Sequence, residues 1–311
     1  MATETPTPES PQDEVTAATT LAGDVGATVG QLSPPRNGPR NAISKAGAYL
    51  LLSALSLLVL FPIYMLVVRA LSAPLRYIGA GQPLYPVSVE WDVFGRAWNQ
   101  AELSRAMGLS FVVTMCIVIA QLFTSVLAAY AFAFLEFPLK KLLFVVVIGT
   151  LLLPIEVTLI ANVETIRALS LLNSLQGLTF PFLATAIGIF LIRQGFLGIP
   201  RDLRDASTLD GYGHLRFLFK VAVPMSKPII GSFVVISFLG AWNQYVWPRF
   251  ATDENAWQTV QVALRTIGSE NPDQLNLGFA AAILAALPLL VLLVFFQRQI
   301  VRGLTAGAVK G

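Results

Sequence analysis

The chain has 311 residues, of which 55% are hydrophobic and only 13% are charged. Its mean hydropathy is +0.68, whereas a soluble domain carries about 25% charged residues. This composition excludes a soluble globular protein and predicts an all-α polytopic membrane protein. The net charge is a modest +3, and the single cysteine, Cys116, excludes an intramolecular disulfide and a cysteine-based metal site.

Residues 1–44 have a different composition, rich in Pro, Thr, Ser, Ala and Gly and without apolar periodicity. Such a segment cannot offset the entropy cost of ordering, so we predict a disordered N-terminal tail before a transmembrane domain over residues 45–311. The first apolar run begins only after Lys45, which is not the pattern of a signal peptide. The tail is either a dispensable extension or a regulatory, partner-binding segment.

Six apolar runs are long enough to cross a hydrocarbon layer of about 30 Å, which takes roughly 20 helical residues. They cover residues 46–71, 109–135, 142–166, 178–196, 229–247 and 277–297. Pro154 bends the third run and Pro288 breaks the sixth. In the second run the Ser and Thr residues fit helix packing, and Gln121 is the side chain that can face a cavity.

The Lys and Arg residues are unevenly divided between the connections, and short cytoplasmic loops retain positive charge. With the N-terminus inside, 14 of the 21 fall on the cytoplasmic side: Arg36, Arg40, Lys45, Lys140, Lys141, Arg193, Arg201, Arg204, Arg216, Lys220, Lys227, Arg298, Arg302 and Lys310. The others fall outside: Arg69, Arg76, Arg96, Arg105, Arg167, Arg249 and Arg265. Both termini and the connection over residues 199–228 are therefore predicted to be cytoplasmic.

The outer connection over residues 72–107 contains three prolines followed by Trp91, Phe94 and Trp98. Aromatic residues three and four apart predict a short helix whose rings lie at the membrane interface. Interface anchoring and direct contact with a soluble partner are the two roles that this pattern fits.

The third run carries Glu156 and Asn162 in an otherwise apolar context. An ionised carboxylate facing lipid is costly, so Glu156 is predicted to face the protein interior or water. Pro154 frees backbone groups, a combination common where a helix lines a pathway. Glu156 and Asn162 are therefore candidates for a substrate path, and the alternative is that Glu156 pairs with a neighbouring subunit.

Residues 199–228, which we call the knob, form a polar connection with the pattern of two helices. Pro200 fits the first helical position, residues 201–209 fit two turns, and Gly211 fits the left-handed end of a helix. A second, amphipathic helix follows, of the kind that lies along a membrane surface. Its apolar positions recur every three or four residues at Tyr212, Leu215, Leu218 and Phe219, with Arg216 and Lys220 on another face.

The knob contains Asp205-Ala206-Ser207, three residues, Gly211, nine residues, and then Val221-Ala222-Val223-Pro224. This pattern resembles the EAA loop of binding-protein-dependent ABC importers, with Asp205 in place of the usual Glu and Ser207 in place of Ala. The resemblance implies a coupling helix that docks on a separate ATP-hydrolysing subunit. The coupling residues that it implies are Asp205, Ala206, Ser207, Asp210, Gly211 and Pro224.

The fifth run ends in three aromatic residues and two amides, and its site candidates are Trp242, Asn243, Gln244 and Tyr245. Flat rings suit the C–H faces of a sugar-like ligand and amides suit its hydroxyls. The alternative is an aromatic belt at the outer interface. This segment and residues 153–156 also resemble the carbohydrate and glycerol-3-phosphate permeases of ABC importers.

The sequence has no Gly-x-x-x-x-Gly-Lys-Ser/Thr phosphate loop, so the chain is not expected to hydrolyse ATP. Its single histidine, His214, lies far from Cys116 and is predicted to be a solvated helix residue. A stand-alone carrier would need an internal repeat and intramembrane coupling ions. No duplicated half is visible, so an ATP-independent carrier or channel is the less favoured class, and a membrane enzyme comes after it.

The apolar runs predict six transmembrane helices, and the resemblance implies a non-catalytic permease with the all-α fold of a type I ABC importer permease. The resemblance implies a bacterial inner-membrane protein that works with a sibling permease, two ATPase subunits and an extracytoplasmic binding protein, and that contacts lipid but no nucleic acid. ATP and Mg²⁺ would bind the partner subunits, with no cofactor in this chain. The implied substrate is glycerol-3-phosphate, a related glycerophospho-compound or a sugar, with a neutral di- or oligosaccharide as the alternative.

Overall fold

The computed structural model describes residues 39–99, 102–267 and 272–305, and side chains are described for most of these. The predicted tail over residues 1–44 lies largely outside this part of the chain, and the first helix begins at Pro39. The structure separates into two units, Met1–Ile63 and Tyr64–Gly311. Within the described residues, the first unit is the apolar N-terminal part of that helix, with Pro62 inside it.

The described residues form helices joined by short turns, with one isolated antiparallel bridge between Ser72 and Val89. In chain order the helices are α1 (Pro39–Leu71), α2 (Pro74–Gly79), α3 (Val93–Asn99), α4 (Leu103–Phe134), α5 (Lys140–Gly149), α6 (Ile155–Ala168), α7 (Leu175–Thr179), α8 (Ala186–Leu197), α9 (Arg201–Leu209), α10 (His214–Phe217), α11 (Val223–Met225), α12 (Lys227–Trp242), α13 (Val246–Ala251), α14 (Val260–Thr266) and α15 (Leu275–Thr305).

Three helical segments in the described part of the chain are long and apolar enough to cross a membrane: Gly47–Leu71, Leu103–Phe134 and Leu275–Gln297. Three more candidate spans are pairs of helices bent by 98°, 49° and 81°, around residues 153–155, 183–185 and 226. Six spans result if each bent pair counts as one, so the number of spans stays a prediction. The bend at Pro154 was predicted, whereas the breaks at residues 183–185 and 226 were not.

Two predictions are wrong, the break within the sixth run and the end of the fifth. The sixth run is not broken, because α15 continues through Pro288. A proline leaves carbonyl groups open about one turn earlier, and the indole of Trp242 donates to the nearby Ala285 carbonyl at 3.2 Å. The fifth run was predicted to continue to residue 247, but α12 ends at Trp242 and a new helix begins at Val246.

Helix α4 is the centre of the second unit and packs against α8 and α12. Gly188 on α8 allows this close approach, because a Cβ atom there would overlap Ser125 of α4 and Phe233 of α12. Gln121 of α4 does not face an open cavity. Its amide donates to the Phe182 carbonyl at 2.9 Å and accepts a hydrogen bond from Ser237 at 2.7 Å, so it joins three segments of the bundle.

The short aromatic helix of the connection before α4 is present as α3. Val93 and Ala97 are buried in a cluster that includes residues of α15, whereas Trp91 and Trp98 are exposed. Two exposed rings beside a buried face are compatible with both predicted roles, interface anchoring and partner contact.

Candidate coupling and substrate-path sites

The first helix of the knob, α9, covers Arg201–Leu209, as the sequence predicts. Pro200 lies one position earlier than expected, as the residue that precedes the helix. Gly211 has a φ of 75° and follows the last helical turn. The Tyr212 amide donates to the Ser207 carbonyl at 2.9 Å and the Gly211 amide to the Thr208 carbonyl at 3.0 Å. These two bonds form the Schellman helix end that glycine favours.

Most of the residues implied by the EAA resemblance lie on the surface of the knob. Asp205, Ala206, Asp210 and Gly211 are exposed, and Pro224 is half-buried. Ser207 is buried, and its hydroxyl donates to the Arg204 carbonyl at 2.7 Å. Ser207 therefore faces the protein while the acidic residues around it face outward.

Leu209 is a surface residue of α9 that the sequence reasoning missed. Its side chain is 90% exposed at the end of a helix whose other leucine, Leu203, is 40% exposed. The available signal was an isolated leucine directly before the helix end at Asp210 and Gly211. A docked partner would give this leucine the apolar surroundings that water does not.

The second part of the knob packs against the protein through one face. Phe217, Leu218 and Ala222 are buried, whereas Leu215 is 67% exposed and Phe219 is 55% exposed. The helix contains a π-helical turn over Leu218–Ala222. The exposed Leu215 and Phe219 are compatible with the amphipathic helix along a membrane surface, which stays a prediction.

The knob is attached to the end of α4 by polar and aromatic contacts. The Arg204 side chain donates to the Phe134 carbonyl at 3.2 Å, and its guanidinium lies 5.6 Å from the centre of the Phe134 ring. His214 was expected to be solvated, and although exposed it contacts the Tyr130 hydroxyl through Nδ1 at 3.1 Å. The Phe217 ring packs edge-on against Phe134 at 5.4 Å.

The last carbonyl groups of α4 receive cations from three other elements. Besides Arg204, the Arg193 side chain of α8 donates to the Phe132 carbonyl at 3.1 Å. Lys140 at the start of α5 donates to the Leu135 carbonyl at 2.7 Å. A helix C-terminus carries unpaired carbonyls and partial negative charge, and these three side chains supply hydrogen-bond donors and positive charge there. They also connect α5, α8 and the knob to the end of α4.

The substrate-path candidates fall into two groups in the structure. Glu156 is exposed in the first turn of α6, and Asn162 is half-buried two turns further on. Among the described residues, no hydrogen bond joins either of them to residues 242–245. The structure therefore does not bring the two groups into one polar cluster within this chain.

The two tryptophans around the second group are buried anchors. Trp242 is 2% exposed, stacks on Phe238 with ring centres 5.9 Å apart, and donates its indole N–H to α15. Trp247 is also 2% exposed, and its indole N–H donates to the Gly177 carbonyl of α7 at 3.1 Å. Trp242 thus positions the chain and presents no open ring face to a ligand.

The three residues after Trp242, which we call the amide segment (Asn243, Gln244 and Tyr245), form the break between α12 and α13. Asn243 is exposed. It donates to the Leu239 carbonyl at 2.9 Å and accepts a bond from the Gln261 amide at 3.4 Å. Gln244 is half-buried, and within the described part of the chain its buried Oε1 atom has no hydrogen-bond partner. The Tyr245 ring is half-buried.

Gln261, on α14, is the polar residue near the amide segment that the sequence reasoning missed. Gln258, Gln261 and Arg265 recur at three- and four-residue spacing, a pattern that predicts one helical face. The guanidinium of Arg265 lies 5.9 Å from the centre of the Tyr245 ring. A polar surface thus extends from the amide segment onto α14.

The fold is that of a helical membrane protein with a polar knob attached to the end of its central helix. The model of the family described as "Binding-protein-dependent transport system inner membrane component" matches residues 121–306. The chain belongs to this family. It is a multi-pass inner-membrane protein and the permease component of an ABC importer, a transport family and not an enzyme family.

The chain is similar in sequence to characterised permeases over most of its length. It is 36% identical over 256 residues to the sn-glycerol-3-phosphate transport system permease protein UgpE of Yersinia pestis bv. Antiqua, covering 80% of this chain and 91% of UgpE. It is 28% identical over 279 residues to the arabinooligosaccharides transport system permease protein AraQ of Bacillus subtilis, covering 89% of this chain and 99% of AraQ.

The fold also matches a solved structure. A crystal structure of a bacterial ABC transporter involved in the import of the acidic polysaccharide alginate superposes with a TM-score of 0.75 at 20% identity. The superposition covers 85% of this chain and 99% of that one. The predicted all-α fold of a type I ABC importer permease is thereby confirmed.

Proposed function

We propose that this chain forms half of the translocation path of an ATP-driven importer and that the knob transmits the closure of two ATPase subunits to that path. The observation that carries the proposal is the attachment of the knob to α4, through Arg204 on the Phe134 carbonyl and His214 on Tyr130. A displacement of α9 is passed through these contacts to a helix that runs through the transmembrane bundle. The exposed Asp205, Asp210 and Leu209 supply the surface for a partner.

The proposed partners are a sibling permease, two subunits that bind and hydrolyse ATP with Mg²⁺, and an extracytoplasmic binding protein. Membrane lipid surrounds the chain, and this chain itself holds no cofactor. Both termini and the knob lie on the cytoplasmic side, which agrees with the positive charge of their connections. The N-terminal tail takes no part in this proposal.

The proposed substrate is glycerol-3-phosphate, a related glycerophospho-compound or a sugar, delivered by the binding protein. The identity of 36% to UgpE supports the glycerophosphate group. A neutral oligosaccharide is the second candidate, because the named substrate of AraQ is of that kind and the identity to AraQ is 28%. In either case the amide segment offers hydroxyl-binding groups at the break after α12, and Glu156 and Asn162 offer a second polar position.

The test is purification of the complex through a tag on this chain, followed by reconstitution into liposomes. We expect an untagged permease and an ATPase to co-purify, and uptake of sn-[¹⁴C]glycerol-3-phosphate to require both ATP and the binding protein. A variant of the co-purified ATPase that binds but does not hydrolyse ATP is the matched control. Uptake that continues with that variant would show an ATP-independent carrier and overturn the proposal.

The orientation is tested separately with single cysteines in a Cys116→Ala background. Leu209→Cys in the knob and Glu254→Cys after α13 are both at exposed positions. We expect a membrane-impermeant maleimide to label residue 254 from the outside of intact cells and residue 209 only in inverted vesicles. The reverse pattern would place the knob outside, where it cannot meet an ATPase.

A further inference from the structure

Beyond the amide segment lies a cavity of about 220 Å³, which we call the cationic cup. It is lined by Arg249, Gln258, Val262, Arg265 and Thr266. Arg249 comes from α13, and the other residues come from α14 and the loop before it. Two helices that follow the break at residue 243 therefore each contribute one arginine to the lining of the cup.

The two arginines of the cationic cup are not neutralised by the described residues around them. Among those residues, no carboxylate lies within 4.0 Å of either guanidinium, and both side chains are exposed. The other arginines in predicted outer connections include two that are paired. Arg96 pairs with Glu90 and Asp92, and Arg105 pairs with Glu102. The guanidinium groups of Arg96 and Arg105 are thus already bonded to carboxylates, whereas the two guanidinium groups of the cup are bonded to no carboxylate of the described residues.

The cup adjoins the amide segment through two contacts. Gln261 and Arg265 lie one turn apart on α14, and Gln261 donates to the Asn243 side chain at 3.4 Å. The Arg265 guanidinium lies 5.9 Å from the Tyr245 ring centre. One polar surface therefore carries hydroxyl-binding amides at one end and two cations at the other.

We infer that the cationic cup is a subsite for a phosphate monoester and that the amide segment faces the hydroxyl groups of the same small ligand. Planar guanidinium groups match phosphate oxygens with paired, charge-assisted hydrogen bonds. The inference rests on the proposed import function and specifies its substrate as a phosphorylated polyol.

The size and exposure of the cup agree with a passing ligand. Its volume is below the roughly 300–1,000 Å³ of typical small-molecule sites, as expected for a subsite that takes the phosphate group of a larger ligand. Because the guanidinium groups stay solvated, they attract the anion without the large desolvation penalty of a buried cation. A ligand held this way is released readily toward the membrane path.

The experiment measures ATP-dependent uptake of sn-glycerol-3-phosphate and of maltose by cells with the complete transport system. The test variant is Arg249→Gln with Arg265→Gln. Arg249→Lys with Arg265→Lys keeps the charge, and Arg105→Gln with Arg167→Gln removes the same charge elsewhere on the predicted outer side. Membrane level and co-purified ATPase are measured for every variant, so that loss of folding is separated from loss of recognition.

We expect the Gln pair in the cup to lower the uptake efficiency for glycerol-3-phosphate about tenfold or more, since each lost bond to a charged group weakens binding severalfold. The Lys pair should retain most of the uptake, and the pair outside the cup should match the wild type. Equal loss with Gln pairs inside and outside the cup would overturn the inference and indicate a general charge effect.

The remaining outcomes separate the inference from the proposed function. Unchanged glycerol-3-phosphate uptake by the Gln pair in the cup overturns the inference and leaves the importer function standing. If the wild type takes up maltose but not glycerol-3-phosphate, the inference is overturned and the importer function stands. An equal fall in the uptake of both compounds assigns the cup to contact with the binding protein and also overturns it. A wild type that takes up neither compound with ATP overturns the inference, and if in addition no ATPase co-purifies, the proposed function is overturned with it.

Discussion

The knob and the amide segment are both short polar stretches at the end of an apolar helix, yet they are held differently. The knob is joined to α4 by its own polar side chains, Arg204 and His214, and by the buried ring of Phe217. The amide segment is held by its neighbours, Trp242 and Trp247, which bond to α15 and α7. The first arrangement suits a part that moves together with α4, and the second leaves polar groups available to a ligand.

The largest effect is expected where the knob depends on one backbone conformation. Gly211→Pro introduces a residue fixed near a φ of −65° at a position with a φ of 75°, and it removes the amide bonded to Thr208. We expect uptake to fall to background, measured with ATPase activity in the purified complex. Gly213→Ala is the matched control, because a Cβ atom at Gly213 meets no neighbour within 4 Å. Uptake by Gly211→Pro at the level of this control would show that the helix end does not matter.

The next effect concerns the anchoring of the amide segment. Trp242→Ala removes a buried aromatic side chain, which costs roughly 3–5 kcal/mol of stability. We therefore expect a low membrane level and a lower temperature of unfolding in detergent. Trp242→Phe keeps much of the ring packing and loses the bond to the Ala285 carbonyl, a cost of about 1 kcal/mol. A thermally stable Trp242→Ala variant with reduced uptake would instead make Trp242 a ligand contact.

A third prediction breaks the attachment of the knob without altering its backbone. Arg204→Gln removes the charged donor to the Phe134 carbonyl, and exposure of the side chain limits the loss to about 1 kcal/mol. We expect ATP hydrolysis to continue while uptake per ATP falls about fivefold. Arg201→Gln, at an exposed position on the same helix, should keep normal coupling. If both variants lower the uptake per ATP equally, the loss of coupling is caused by the lower charge of α9 and not by its detachment from α4.

The smallest effect is expected within the amide segment. Asn243→Ala removes one exposed amide, and the loss of a hydrogen bond to a hydroxyl costs roughly 0.5–1.5 kcal/mol. Uptake efficiency should therefore fall tenfold at most, with the unfolding temperature unchanged. Asn99→Ala, at an exposed position at the end of α3, is the control for a surface amide. Uptake by Asn243→Ala equal to that of this control would remove Asn243 from the substrate path.

The sequence was most informative where structure depends on neighbouring residues along the chain. The bounds of α9 and the role of Gly211 follow from local helix-capping chemistry, so both could be predicted. The end of α12 and the continuity of α15 through Pro288 could not be predicted, because they depend on contacts between residues that are distant in the sequence. The Trp242 indole bonds to the Ala285 carbonyl, and the Trp247 indole bonds to the Gly177 carbonyl.

The candidate sites show the same division. The acidic residues of the knob were named through the resemblance to the EAA loop, whereas the packing of Phe217 against Phe134 was not predicted, because lipid and protein both accept apolar side chains. The cationic cup was missed because α13 and α14 meet only in the folded chain. Arg249 and Arg265 are sixteen positions apart in the sequence, and no spacing rule relates them.

The π-helical turn at Leu218–Ala222 has a consequence for insertions and deletions in the knob. A π turn holds one residue more than an α turn, and each residue of a regular helix adds a rotation of about 100°. Removing a single residue from this turn would restore a regular helix and rotate His214 and Phe217 relative to α12. The nine residues between Gly211 and Val221 therefore act as a fixed angular spacer, whose length determines the direction in which the knob points.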